Sequence, residues 1–314
     1  MTPRRWEDMV ADRIFNLTLG PLQFNWSAQK FVDFYAAIAD EAPVDRVVIG
    51  ELVCSKRAPF YADRIPAVIE RLERGGKQVI LGSLALVTLE RERRAARELF
   101  EQTEHEVEIN DLTLMNWVRD ETPFSVGPLV NVYNEATLAF LAEKGARLVC
   151  LPPELPIASV DALAKAGKGC RVGVEVWAYG RIPLAVSGRC YHARAHGLSK
   201  DSCHFVCEND PDGLATKTLD GVDFLAINGI QTLSYQFANL IGRMDRLAEA
   251  GVTHLRLSPH TGDFVAVTKV FADVAASRIS AREGFALLSG ANPEAAFTDG
   301  FLFGNCGAAA LAPF

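Results

Sequence analysis

The chain has 314 residues, a net charge of −7 and a pI of about 5.5, with 49% hydrophobic and 23% charged residues. These are ordinary globular values, and the acidic balance argues against a broad nucleic-acid footprint. The first residues carry two Arg followed by an acidic residue before any apolar run, and no apolar stretch reaches the roughly 18 residues a membrane helix needs, so the expectation is a cytosolic protein without signal peptide or membrane insertion.

Short β-type runs recur along the chain, each followed by a helical pattern. The run 14–20 reads as a strand, and Ser27 caps a helix through Asp40 with Phe31, Phe34, Tyr35 and Ile38 on one face. A second strand is expected at 47–50 with a helix at 60–74, stopped by Gly75-Gly76. Strands at 78–81, 107–109 and 124–126 precede helices at 87–101, 111–118 and 134–144. Strands at 147–151 and 172–177 follow, with a helix at 157–166 between them. The eighth strand is 254–257, with a helix at 262–277. Eight strands alternating with helices predict a (β/α)₈ barrel in one domain spanning 1–314, with a doubly wound open sheet as the alternative. Residues 178–233 are too many for a single connection. They are expected to form a small β insertion with runs at 203–207, 214–219 and 222–228, and a helix at 234–250 should lead back to the barrel.

Seven cysteines without a secretory signal point to metal or redox chemistry for a subset of them. Cys190, Cys203 and Cys207 form a C-x12-C-x3-C pattern inside the insertion. Cys54 follows the second strand and Cys190 the seventh, so a parallel barrel opens both onto the face where such folds build sites. Four thiolates suit either an iron–sulfur cluster or a tetrahedral zinc ion. Arg181, Arg189 and Arg194 flank Cys190 and would offset the negative charge of a thiolate-bound cluster. His192, His196 and His204 lie nearby and read as solvated or supporting groups before they read as ligands. Cys150, Cys170 and Cys306 read as small buried hydrophobes.

Other chemistry is weakly marked. G-x-S-x-G, H-E-x-x-H, Walker and G-x-G-x-x-G patterns are absent from the sequence. Glu51, Asn110, Asp111, Glu154 and Glu175 fall near expected strand ends, where each serves equally well as a cap or loop residue.

Three passages then carry a family resemblance. They are Gly50 to Arg57 (GELVCSKR), Asn131-Val132-Tyr133-Asn134 with Leu151 to Leu155 (LPPEL), and Gly180 to Arg194 (GRIPLAVSGRCYHAR); Phe297 to Gly304 (FTDGFLFG) fits as well. The chain resembles the U32 "peptidase" family, and within it the members involved in ubiquinone biosynthesis, where the C-x12-C-x3-C spacing with an early Cys is the specific part. The resemblance implies a barrel-derived fold and a [4Fe-4S] cluster on Cys54, Cys190, Cys203 and Cys207. It further implies a heterodimer with a UbiU-like U32 protein, a UbiT-like lipid carrier in the same pathway, and O₂-independent hydroxylation of the ubiquinone ring with prephenate as oxygen donor. An RNA-base hydroxylation factor and a non-catalytic, cluster-bearing docking subunit are the alternatives. Peptidase activity is not expected, since no nucleophile–base pair stands out.

Overall fold

The computed structural model describes residues 13–119, 122, 124–292 and 295–309. The strands in chain order begin β1 (Asn16–Leu19), β2 (Arg46–Ile49), β3 (Gln78–Gly82), β4 (Glu106–Ile109), β5 (Phe124–Val126), β6 (Ala146–Cys150) and β7 (Gly173–Val186). They continue with β8 (Leu214–Lys217), β9 (Asp223–Asn228), β10 (Gln231–Asn239), β11 (His254–Leu257) and β12 (Phe297–Thr298). Strands β1 to β7 pair in sequence order and in parallel, β11 pairs with both β1 and β7, and the ring closes. Each of the eight ring strands expected from the sequence is present, and the fold is the expected parallel eight-stranded α/β barrel.

The helices are α1 (Ala28–Glu41), α2 (Ile65–Arg74), α3 (Glu90–Gln102), α4 (Glu135–Glu143) and α5 (Ile157–Cys170), then α6 (Tyr191–Ala195), α7 (Met244–Ala250), α8 (Phe264–Ala275) and α9 (Ala281–Ala291). Their starts follow from local chemistry. Ser27 Oγ accepts from Lys30 N at the head of α1, Asn134 Oδ1 from Thr137 N at α4, and Asp263 Oδ1 from Ala266 N at α8. The segment 111–118, expected as a helix, forms only a 3₁₀ turn over Leu112–Asn116, headed by Asp111. The main core lies between the ring and its helices. Val47, Val79, Val107, Val149 and Val174 face outward against Phe31, Ile38, Leu72, Leu138 and Leu163. Burying each such side chain stabilises the fold by about 1.5–3 kcal/mol.

The lumen combines apolar side chains, among them Val48, Ile80 and Leu148, with buried charges. Arg256 on β11 donates to both oxygens of Glu108 on β4, on the far side of the ring, and through Nε to Glu175 on β7 at 2.6 Å. Because β4 and β11 lie opposite each other, this ion pair crosses the lumen. Arg46 on β2 reaches Glu106 on β4 at 2.7 Å. Burial opposes the charge on Arg256, but Cys150, Glu108 and Glu175 outweigh it and hold the guanidinium well above its ordinary range. Burial likewise opposes ionised Glu175, and Arg256 outweighs it, leaving that carboxyl below its ordinary range.

The insertion departs from expectation in two places. Residues 203–207 form a turn and the start of a 3₁₀ segment over Val206–Asn209, not a strand. Residues 234–239 are strand, and the helix begins only at Met244. Strand β7 explains the second difference. Its 14 residues run through the barrel and beyond it, and the outer half pairs antiparallel with β10 from Val186↔Gln231 to Tyr179↔Asn239. That pairing satisfies the backbone of 234–239 more completely than an isolated helical start would. The bend where β7 leaves the ring sits at Gly180, which has φ +106°; a Cβ there would lie 2.7 Å from Ser258. Strands β9 and β8 extend the same sheet outward from β10.

Candidate functional site

The loop after β2 is built around Glu51. Its Oε1 accepts from the backbone N–H of Val53 and Cys54, both at 2.8 Å, and Oε2 accepts from the Tyr61 hydroxyl. Tyr61 in turn stacks on Phe31 at 4.6 Å, so the turn carrying Cys54 is anchored to the core. Arg57 N donates to Cys54 O at 2.9 Å, closing the turn.

The insertion supplies the other three thiols. Cys190 heads α6, and its Sγ accepts from Ala193 N at 3.4 Å. Lys56 Nζ lies 3.6 Å from Cys203 Sγ while donating to the carbonyls of Lys200 and Asp201. Between Cys203 and Cys207 the chain takes two consecutive left-handed residues, His204 at φ 47° and Phe205 at φ 54°, which reverse it so that both cysteines face inward. Phe205 is held edge-on against Phe60 at 4.6 Å.

Cys54, Cys190, Cys203 and Cys207 thereby line one small pocket, together with Lys56, Arg57, His192, Lys200, Phe205 and Gly229. Among the described residues no group of three or more His, Cys, Asp or Glu side chains is close enough to hold a single metal ion. Burial pushes the Cys54 thiol up, against a backbone N–H from Lys56 and the charge of Arg57. Cys190 is also pushed up by burial, with Cys207 and Cys203 adding to the effect. A bound cation would offset the burial that opposes thiolate at Cys54 and Cys190.

Arg57 is the cation built into the wall. It is 1% exposed, with Nη1 donating to Gln23 O and Nη2 to Asn228 Oδ1, each at 2.9 Å. Its Nε is buried without a partner. Burial opposes its charge, but Glu51, Cys207 and Cys54 outweigh that and hold the guanidinium above its ordinary range. Gly229, at φ +61° in the β9–β10 turn, makes room for it, since a Cβ would lie 2.8 Å from Arg57 Nη2.

The flanking residues divide. Arg189, Arg194 and Lys200 form an open rim beside Cys190, whereas Arg181 points away, bonding the Ser234 and Tyr235 carbonyls. Arg181 flanks Cys190 in sequence only, because β7 runs outward between them. His192 and His196 stack one turn apart at 5.5 Å, and buried His192 is fixed between Ile227 O at 3.1 Å and Asp210 Oδ2 at 2.9 Å. Burial lowers the His192 pKa, against Asp210. His204 is exposed.

Cys150 is buried in β6 as expected, but Cys170 and Cys306 are exposed. Cys170 is the last residue of α5, turned to solvent just before left-handed Arg171, and Cys306 lies in a surface turn. Of the acids and amides at strand ends, Asp111 caps a turn and accepts from Val87 N, Glu154 accepts from Tyr133, and Glu175 pairs with Arg256 in the lumen. Asn110 is buried, donating to Glu108 at 3.1 Å. Lys56, Arg57 and Gly229 escaped the sequence reading as site residues. The adjacency of Lys56-Arg57 to Cys54 was the available signal.

The sequence profile of peptidase family U32 matches residues 26–307. Among solved structures, the U32 peptidase Mk0906 is 12% identical, with 79% of this chain and 94% of that chain covered and a TM-score of 0.44. An enolase structure from Agrobacterium radiobacter with bound sodium and L-malate is also 12% identical, at 73% and 63% coverage and a TM-score of 0.37. An uncharacterized B. cereus protein is 15% identical, at 56% and 50% coverage and a TM-score of 0.35.

Proposed function

The chain belongs to peptidase family U32, and from that premise we propose that it is a UbiV-like iron–sulfur protein acting in O₂-independent ubiquinone biosynthesis. The observation that carries the reading is the shared pocket: four cysteines from two distant segments around one space, with a buried arginine whose Nε is unpartnered. A cubane carrying four thiolates is negatively charged and accepts hydrogen bonds at its sulfurs, so a fixed guanidinium and the Lys56 ammonium suit it. A zinc ion on the same four thiolates is the competing occupant.

In this reading Cys54, Cys190, Cys203 and Cys207 would hold a [4Fe-4S] cluster, and the bound group would supply one-electron chemistry. Arg57 and Lys56 balance its charge, Phe205 and Ala193 keep water from its faces, and the Asp210–His192 pair braces α6 behind Cys190. Proteolysis fits less well. The hydroxyls at the barrel mouth are engaged by amides, Ser258 Oγ by Gln23 Nε2 and Ser83 Oγ by Asn110 N, instead of by a base.

The partner in the proposal is a UbiU-like U32 chain in a heterodimer, with a UbiT-like carrier presenting the ring precursor and prephenate as oxygen donor. Among the described residues no helix is long and apolar enough to cross a membrane, which accords with a lipid substrate delivered by a carrier. The test is anaerobic purification alone and with a tagged UbiU-like protein. About four iron and four sulfide per chain, with co-purification, support the reading. Colourless protein with stoichiometric zinc, or iron-free protein that complements anaerobic ubiquinone synthesis, overturns it.

A further inference from the structure

The rim beside Cys190 is a cationic patch on an acidic protein. Arg189, Arg194 and Lys200 line a broad recess there, with Ser199 and Asp201 between them. Cys190 and Lys200 line this recess and the cysteine pocket alike, so the two meet at Cys190. Arg189 and Arg194 are exposed, and among the described residues no carboxylate pairs with either of them or with Lys200. Lys200 Nζ donates to the Gly188 carbonyl at 3.4 Å. Asp201 is the one acid of the lining. The chain as a whole carries −7, so the patch stands against the field of the rest.

Aromatic side chains lie close to the same cysteines. Tyr191 follows Cys190 in the chain, and Phe60 is edge-on to Phe205 of the cysteine pocket; each is 46% exposed. Exposed aromatics set near arginines are the groups protein interfaces favour. The recess is not built for a small anion, because no buried polar side chain is among its lining. Nor does it have the apolar core of a permanent subunit contact. Three cations would also release few counterions from a nucleic acid. The chemistry that remains is a protein surface of opposite charge, met briefly.

We propose that this rim is the docking site of a small acidic protein that carries single electrons, and that each electron enters past Cys190. The inference rests on the iron–sulfur reading above and names a partner for that site. In the step, one electron leaves the reduced carrier and enters the bound cluster; no bond or proton moves, and the carrier departs oxidised. Encounters of this kind bury little surface, and opposite charges govern mainly how often they succeed. Arg189 and Arg194 serve that purpose because their charges are exposed and unspent.

Stopped-flow reduction of the anaerobically purified holoprotein tests the proposal. The reductants are an acidic plant-type ferredoxin, freed of excess reductant, and the methyl viologen radical cation, which needs no docking. Ferredoxin is expected to react in a second-order step that slows steeply between about 50 and 500 mM salt. Arg189→Glu combined with Arg194→Glu should slow ferredoxin at low salt by about tenfold or more, and weaken calorimetric binding of oxidised ferredoxin as much, without slowing viologen. Arg147→Glu, exposed at the start of β6 on the far end of the barrel, should change neither. If the double variant fails to fold, Arg194→Glu alone and the salt dependence decide. A ferredoxin rate indifferent to salt, equal slowing by Arg147→Glu, full rate and binding in the folded double variant, tighter binding of transfer RNA than of ferredoxin, or loss of the UbiU-like chain on charge reversal each overturns it. Protein that viologen reduces but ferredoxin does not fails this inference alone. Iron-free protein that viologen cannot reduce fails the iron–sulfur reading, and this inference with it.

Discussion

The lumen of the barrel and its C-terminal face are both rich in charge, yet they handle it in opposite ways. Inside the ring, Arg256 meets Glu108 and Glu175, and Arg46 meets Glu106, although Arg46 Nε and Glu175 Oε1 stay unpartnered. On the face, Arg57 and Arg181 bond carbonyl and amide oxygens instead of carboxylates, and four cysteines line one pocket. A buried ion pair belongs to the fold. Cations held by neutral oxygens on the face where barrels build sites suit a bound anionic group. Lumen residues should therefore control stability, and face residues should control what binds.

The largest effect to break this contrast is expected from Arg256→Met. It strands Glu108 and Glu175 inside the ring and should cost about 3–5 kcal/mol in denaturant-measured stability. A loss below about 1 kcal/mol would show that the lumen pairs are not structural. By contrast, Cys54→Ala, Cys190→Ala, Cys203→Ala and Cys207→Ala should each empty the protein of iron and sulfide by chemical analysis while shifting the stability of the metal-free chain by only about 1 kcal/mol. Iron retained in Cys54→Ala but lost in Cys150→Ala would move the site into the lumen.

A smaller effect comes from pH. Burial lowers the pKa of His254, at the start of β11, to about 4, against Glu175. The folded state then prefers the neutral ring and binds fewer protons than the unfolded chain. Stability from this group is complete above about pH 6.5 and declines as pH falls towards 4, by at most about 3 kcal/mol. His254→Gln should flatten that part of the stability curve, and an unchanged slope would remove His254 as its source. Smallest of all, Cys170→Ala and Cys306→Ala, both exposed, should leave iron content intact and stability within about 0.5 kcal/mol.

Sequence reading reached the ring because its strands are short β-type runs set off by helix signals, some strongly apolar, as in Val47-Val48-Ile49 and Gln78-Val79-Ile80-Leu81, and some alternating, as in Glu106-Val107-Glu108-Ile109. It also put Cys54 and Cys190 on one face, since strand direction alone dictates that. It failed where long-range pairing decides. Phe237, Leu240, Ile241 and Met244 carry a helical period, yet β7 captures 234–239 as strand. Arg181 was assigned to the cysteines by proximity in sequence, but alternation along an extended strand separates it from them. The crossing of Arg256 to Glu108 joins residues 148 positions apart, and no local pattern announces such a pair.

Strand β7 serves two structures at once, ring and insertion, and this bears on how the protein is made. The ring closes only through β11, at residues 254–257, which pairs with β1 at residues 16–19. During synthesis the segments bearing all four cysteines emerge before the strand that completes the barrel beneath them. Gln23, which follows β1 and holds both Arg57 and Asn228, has its strand's outer edge uncovered until then. Non-local closure of this kind is slow and leaves edges exposed while it waits. The thiols of the growing chain therefore sit above an open ring until residues 254–257 have been translated.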